Sequence, residues 1–337
     1  MAATHINIKE VLLQKENLPL LDVRTAAEFE QAHIPGALSF PIFSNEERAI
    51  IGTAYKKQSR EVAVKMGLDF FGPRMSSVVS AAEKICEGKE KKIMLHCWRG
   101  GMRSGAMSWL LDFYGFEVQV LNGGYKSYRQ LALEQFEQPY DFKILGGYTG
   151  TGKTVLLKKM QEKNVPLIDL EDLAKHKGSA FGSMAVPQPS QEMFENLLAE
   201  QLIKNENKTC WLEDESQRIG DVKIPDTIWK TMRAAPVYFV DLPFDVRLQH
   251  IMKDYGSMKP ENIIAATERI TKRLGPQHAR QAIIFVKEGN IEGCFDILLK
   301  YYDVQYGRGL EKRADDVVLN KFVFDAFDEE HIVKQLI

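Results

Sequence analysis

The chain has 337 residues, 45% of them hydrophobic and 27% charged, with a formal net charge of −2. That length exceeds one ordinary hydrophobic core and points to about two domains. The composition is that of a globular protein, without the ~18-residue apolar run of a membrane span. The near-zero charge argues against a broad nonspecific nucleic-acid binder, which carries a large basic excess.

The N-terminal stretch MAATHINIKEVLLQKENLPLLDVR is charged throughout and has no signal-peptide core, which points to the cytoplasm. LPLLDVR reads as a strand, and TAAEFEQAHIPGA as a helix stopped by Pro35-Gly36, because proline disfavours helical backbone before it. KKIMLHC is a strand, SGAMSWLLDFYG a helix ending at Gly115, and EVQVLNGG another strand. Strand, helix, strand in this order implies a parallel sheet with helices on its faces and sites at the carboxyl ends of strands. LALEQFEQPYDF is a plausible boundary, dividing the chain into 1–136 and 137–337. FKILGGYTGTGKTVLLKKMQEK then opens a second strand–loop–helix unit, with further strands at VPLIDL, KTCWLEDES and PVYFVDLP. The remainder, from Asp245, reads mostly helical. The expected fold is α/β throughout, with a helical C-terminal part.

Of four cysteines, Cys86, Cys210 and Cys294 read as small buried hydrophobes, and none has metal-knuckle spacing. No metal-ligand set is expected apart from a magnesium ion at the phosphate loop described below. Cys97 differs, because LHCWRGGMRS places it at a strand end in a glycine-rich basic loop. Gly100 and Gly101 let the backbone amides turn inward, Arg99 and Arg103 add positive charge, and Ser104 closes the loop. Such a nest lowers a thiol pKa and holds an anion beside the sulfur. Two chemistries fit: chalcogen transfer on Cys97, or attack by Cys97 on a phosphate ester. Asp22 with Arg24 reads as a structural ion pair, and His33 as a structural histidine.

GYTGTGKT fits a phosphate-binding loop with the required strand before it and helix after it. Gly147, Gly150 and Gly152 would wrap a phosphate, Lys153 would reach outer phosphates, and Thr154 would contact magnesium. Among Glu213, Asp214 and Glu215, the latter two are the preferred partner acids, and Arg247 is a candidate to face the phosphates.

LLDVRTAAEFEQAHIPGALSFP and VLNGGYKSY resemble the rhodanese homology pattern, although the active loop is longer than the shortest sulfurtransferase form. Cys97, five residues, then Arg103-Ser104 also resembles the loop of cysteine phosphatases. A rhodanese-like domain joined to a P-loop domain resembles the tRNA 2-selenouridine synthase family. NEERAIIGTAYKKQSREVAVKMGLDF, HCWRGGMRS and LEDESQRIG support that resemblance.

The resemblance implies a transferase acting on tRNA with 2-thiouridine at the wobble position. It implies selenophosphate as selenium donor, Cys97 carrying or coordinating selenium, and geranyl diphosphate alkylating the thiocarbonyl sulfur so that it becomes a leaving group. The P-loop would hold the geranyl diphosphate head group. Phosphates of tRNA would meet Lys56, Lys57 and Arg60, Lys272 and Arg273, and Arg308, Lys312 and Arg313. Tyr301, Tyr302 and Tyr306 could stack on bases or pack a core helix equally well. A monomer or weak oligomer is expected. Two other readings remain: a rhodanese-fold cysteine phosphatase with a nucleotide-binding regulatory domain, and a nucleotide-gated binding module without turnover.

Overall fold

The computed structural model describes residues 3–178, 186–313 and 317–337. The chain divides into two compact units, Met1–Gln135 and Phe136–Ile337. The first is built on strands β1 (Thr4–Ile6), β2 (Leu20–Asp22), β3 (Leu38–Ser39), β4 (Lys92–His96) and β5 (Glu117–Leu121). They form a parallel sheet in the order β1-β5-β4-β2-β3, so β4 is central. Leu20, Leu21, Ile93, Met94 and Leu95 are all buried. These continuous apolar runs are what a sheet covered on both faces requires.

The helix Ala26–Gln31 starts at Thr25, whose side chain accepts the Glu28 N–H while the Glu28 carboxylate accepts the Thr25 N–H. This reciprocal capping fixes the entry of the helix. The helix ends earlier than Pro35 demands: Ala32 is already extended, and its carbonyl accepts a hydrogen bond from Arg24. Residues 45–70 form two helices, Asn45–Lys57 and Arg60–Phe71, capped by Ser44 and Ser59. Lys56, Lys57 and Arg60 are exposed where one helix gives way to the other. The helix Met102–Tyr114 closes with Gly115 in the left-handed region, as expected.

The second unit contains β6 (Phe142–Gly147), β7 (Leu167–Ile168), β8 (Cys210–Glu213), the two-stranded pair β9 (Arg218–Ile219) and β10 (Val222–Lys223), β11 (Val237–Asp241) and β12 (Leu319–Val323). The parallel order β12-β11-β6-β8-β7 places β6 at the centre, where the strand order reverses. That reversal opens a crevice at the carboxyl end of β6. Strand β12 corrects the mostly helical reading of the C-terminal part. It is a half-exposed edge strand, and its Lys321 pairs with Asp241 at 2.8 Å. A short charged edge carries a weak apolar signal and resists further pairing. Helices Phe244–Tyr255, Pro260–Arg269, Pro276–Lys287 and Ile291–Glu311 pack a separate core around Ile263, Ala266, Phe295 and Leu298. Among the described residues no helix is long and apolar enough to cross a membrane.

Candidate active sites of the two units

Cys97 follows central strand β4 and is 4% exposed. Its Sγ accepts the Gly101 N–H at 3.3 Å and lies 3.2 Å from Ser104 Oγ. Burial pushes the thiol pKa up. The Ser104 hydroxyl and the backbone N–H groups of Ser104, Arg99 and Gly101 outweigh it and hold the pKa below the ordinary thiol value. The sulfur therefore sits at the N-terminus of the helix Met102–Tyr114, stabilised by the Ser104 hydroxyl and by loop amides. Gly124 makes this closeness possible. At φ +59° it runs so near the loop that a Cβ there would lie 2.3 Å from the Cys97 carbonyl oxygen. The following amides, of Tyr125 and Lys126, donate to the carbonyls of Cys97 and Trp98.

The two arginines of the loop part company. Arg99 is exposed. Arg103 is held by Glu28 through both carboxylate oxygens, at 2.5 and 3.1 Å. Asp22 and Arg24 form the expected ion pair, 2.6 Å long and fully buried. His33 stacks on Phe29 with ring centroids 3.9 Å apart and bonds the Phe29 carbonyl, a structural arrangement. Cys86, Cys210 and Cys294 are buried, and burial raises each of their pKa values.

In the second unit, the loop from Gly147 to Thr154 joins β6 to the helix Lys153–Glu162. Lys153 Nζ donates to the Gly147 carbonyl at 3.0 Å and lies 3.4 Å from Glu213. Burial lowers its pKa, but Glu213, Glu215, Glu171 and Asp214 together raise it above the ordinary value. The Thr154 hydroxyl donates to Glu171 at 3.3 Å. Gly150 has φ +83°, and a Cβ there would lie 2.6 Å from the Arg247 carbonyl oxygen.

Oxygens of Glu171, Glu213 and Glu215 all lie within 4.8 Å of one another. Burial, then mutual repulsion, raises the pKa of Glu171 and Glu215; burial also dominates the rise at Glu213. Glu213 Oε2 is buried and lacks a hydrogen-bond partner. Three carboxylates against one lysine, with an orphaned oxygen, are a donor set suited to a hard divalent cation. The cluster joins Glu171 to two of the acids expected beside magnesium, Glu213 and Glu215, and leaves Asp214 out. Glu171 was not singled out from sequence; the signal was its place in the acidic first turn of the short helix Leu170–Ala174 that follows β7.

A cavity of about 720 Å³ opens from this cradle. Lys153, Thr154 and the acidic cluster line one part of it, and Trp229, Tyr255, Phe295 and Leu299 line another. Asp214 reaches the cavity, but its carboxylate is taken by Arg313 at 2.6 Å and by the Tyr306 hydroxyl at 2.7 Å. Asp214 is thus a structural acid, so the two preferred acids, Asp214 and Glu215, do not play the same part.

Arg247 does not line the cavity. It is 4% exposed, pairs with Asp303 at 2.8 and 2.9 Å, and donates to the Thr149 carbonyl. It braces the loop, because its helix approaches Gly150 through the backbone. The arginine that does line the cavity is Arg233, whose guanidinium lies 5.6 Å from the Trp229 ring centroid.

Among the proposed phosphate contacts, Lys272, Arg273, Arg308 and Lys312 are exposed. Arg313 is not available, since its side chain is 5% exposed and pinned to Asp214. Tyr306 packs against Tyr148 and Phe239, and its hydroxyl accepts the Gly147 N–H, so it serves the core.

Residues 8–131 match the model of the rhodanese-like domain, and residues 140–328 match that of the tRNA 2-selenouridine synthase AAA domain. Curated relatives agree across both units. A tRNA 2-selenouridine synthase of Nitrosomonas europaea is 37% identical over 77% of this chain and 68% of its own. That of Bdellovibrio bacteriovorus is 38% identical over 72% of this chain and 66% of its own. That of Nitrosomonas eutropha is 35% identical over 79% and 70%.

Proposed function

Because the chain belongs to the tRNA 2-selenouridine synthase family, we propose that it exchanges the sulfur of wobble 2-thiouridine in tRNA for selenium, using its two sites for two chemical stages. In the first, the thiocarbonyl sulfur attacks the C1 carbon of geranyl diphosphate. A C–S bond forms, the C–O bond breaks, and diphosphate leaves with the electron pair. Gly147, Gly150, Gly152 and Lys153 would bind that diphosphate, and Glu215 with Glu171 and Glu213 would hold a magnesium ion beside Thr154. The ion, when bound, supplies charge neutralisation for the departing diphosphate. Trp229, Tyr255, Phe295 and Leu299 would shelter the apolar tail and exclude water.

In the second stage, the selenium of selenophosphate attacks C2 of the uracil, and water attacks phosphorus, so that the Se–P bond breaks with its electron pair left on selenium and phosphate is released. The C2–S bond breaks, and the geranyl thiolate leaves with the electron pair and is protonated. Alkylated sulfur departs far more readily than a thiocarbonyl sulfur. The Cys97 loop would carry or coordinate the selenium. Amides of Arg99, Gly101 and Ser104 that lower the Cys97 pKa suit a soft anion beside or on that sulfur.

The observation that carries this reading is the pairing, in one chain, of a dipole-stabilised thiol with a phosphate cradle flanked by an apolar wall. The test is mass spectrometry of nucleosides from 2-thiouridine tRNA incubated with the protein, selenophosphate and geranyl diphosphate. Selenouridine is expected with the wild type, and geranylated thiouridine accumulating with Cys97→Ala. If no modified nucleoside forms under any condition while aryl phosphate is hydrolysed, the phosphatase reading replaces this one.

A further inference from the structure

Trp98 follows Cys97 directly and is 39% exposed, whereas Cys97 itself is buried. Exposure alone does not set it apart, since Trp109 is 58% exposed; its place directly after the reactive cysteine and its packing do. The indole is firmly set. The Trp98 backbone carbonyl accepts the Lys126 N–H at 3.0 Å, and the indole ring lies 5.5 Å from that of Tyr125, tilted by 41°. Tyr125 is fully buried, and the Arg24 guanidinium sits 4.0 Å from its centroid. Arg24 is in turn locked by Asp22 and by the Ala32 carbonyl. A buried chain of contacts thus ends in a braced aromatic shelf beside the reactive sulfur. Arg99 and the Lys126 side chain are exposed at its margins.

We propose that Trp98 is the stacking surface for the nucleobase presented to Cys97, with Arg99 and Lys126 placed to meet the flanking phosphates. The inference rests on the reading of tRNA as substrate. A base within an anticodon loop must be splayed from its neighbours before C2 can meet a sulfur or selenium anion, and an aromatic side chain replaces the stacking it loses. Rigid rings do this at low entropic cost, because few torsions are frozen. Stacking does not distinguish one base from another, so Trp98 supplies affinity and orientation while the reacting atoms supply selectivity.

The full-length protein labelled with 5-fluorotryptophan would be titrated with an RNA anticodon hairpin bearing 2-thiouridine at the wobble position. Trp98→Phe assigns the fluorine signal of Trp98 among those of Trp98, Trp109, Trp211 and Trp229. The Trp98 signal should shift on titration, and that of exposed Trp109 should stay. In gel-shift titrations Trp98→Ala should weaken hairpin binding roughly 5- to 150-fold, the range that base–aromatic stacking implies, and Trp98→Phe only a few-fold. A hairpin that binds tightly without moving the Trp98 signal overturns the inference and leaves the tRNA reading intact. Absence of hairpin binding to the wild type overturns both. Should Trp98→Ala fail to fold, the titration of the wild-type protein decides alone.

Discussion

Glu28 and Arg103, 75 residues apart, are joined by two hydrogen bonds, and the same Glu28 carboxylate caps the first turn of its own helix. One side chain therefore ties the end of the cysteine loop to a neighbouring helix. Burial raises the Glu28 pKa, but the hydrogen bond and charge of Arg103, the Thr25 N–H and the charge of Arg24 together outweigh it, so its value falls below that of an ordinary glutamate. Glu28→Ala removes the cap and leaves a half-buried guanidinium unpaired. Charge-assisted bonds of this kind contribute about 1.5–3 kcal/mol when buried, and partial exposure places this pair near the lower end. A loss of about 2 kcal/mol in urea unfolding is expected. Arg103→Ala should cost a similar amount, and the double variant less than the sum. Cys97 alkylation should change little, because Gly101 and Ser104 hold the sulfur independently.

Titration of Cys97 provides a second test. Burial raises the thiol pKa, but the Ser104 hydroxyl and loop amides lower it further than burial raises it. Alkylation by iodoacetamide should therefore rise to a midpoint below 9.0. Ser104→Ala should move that midpoint upward. Cys210, at about 12, and Cys294, at about 11, should stay unmodified in the folded protein at pH 8, which makes the reaction selective. The linkage has a definite sign. A thiol whose folded pKa is depressed adds stability that is full above its unfolded pKa and is lost as pH falls through the folded pKa. Equal stability of wild type and Cys97→Ala across that window would contradict the proposed thiolate.

The two loops were legible in sequence because each is a local device. Glycines, a nucleophile or lysine, and a helix start lie within eight residues, and the backbone conformation they need is written in their spacing. The Asp22–Arg24 pair was legible for the same reason. Asp214 was not, since its fate depends on Tyr306 and Arg313, 92 and 99 residues onward. Arg247 misled because a helical arginine near a phosphate loop can face it or underpin it. The choice was made by Asp303, 56 residues away. Glu171 joined the acidic cluster only through the packing of β7 against β8.

Arg247 is accordingly predicted to be a folding residue. Its partner Asp303 and the Thr149 carbonyl are both satisfied by its guanidinium, which is almost wholly buried. Breaking a buried pair by removing one partner costs about 3–5 kcal/mol, because the other charge is stranded. Arg247→Ala should lower the unfolding free energy, read from urea denaturation, by an amount at the low end of that range, Asp303 being partly solvated. Molecules that remain folded should still bind diphosphate within a few-fold of wild type. A large loss of affinity with unchanged stability would restore Arg247 to the phosphate site.

Lys153 is predicted to behave in the opposite way, and the reason lies in the charge around it. Glu213 faces Lys153 at 3.4 Å, and the raised pKa values of Glu171 and Glu215 keep those carboxyls protonated near neutral pH, so the metal-free pocket offers a diphosphate little positive charge. A divalent cation bound by those oxygens would displace their protons and make the pocket attractive to the anion. Diphosphate should thus raise the melting temperature strongly with magnesium and only weakly with EDTA. Glu213→Gln removes one charge and should shrink the difference between the two conditions. Lys153→Ala should abolish the protection by diphosphate in both while leaving the alkylation rate of Cys97 unchanged, since the thiol is held by its own loop. Protection equal to that given by chloride in the wild type, with magnesium present, would remove diphosphate from this site. It would leave the acidic cluster to be explained by another ligand.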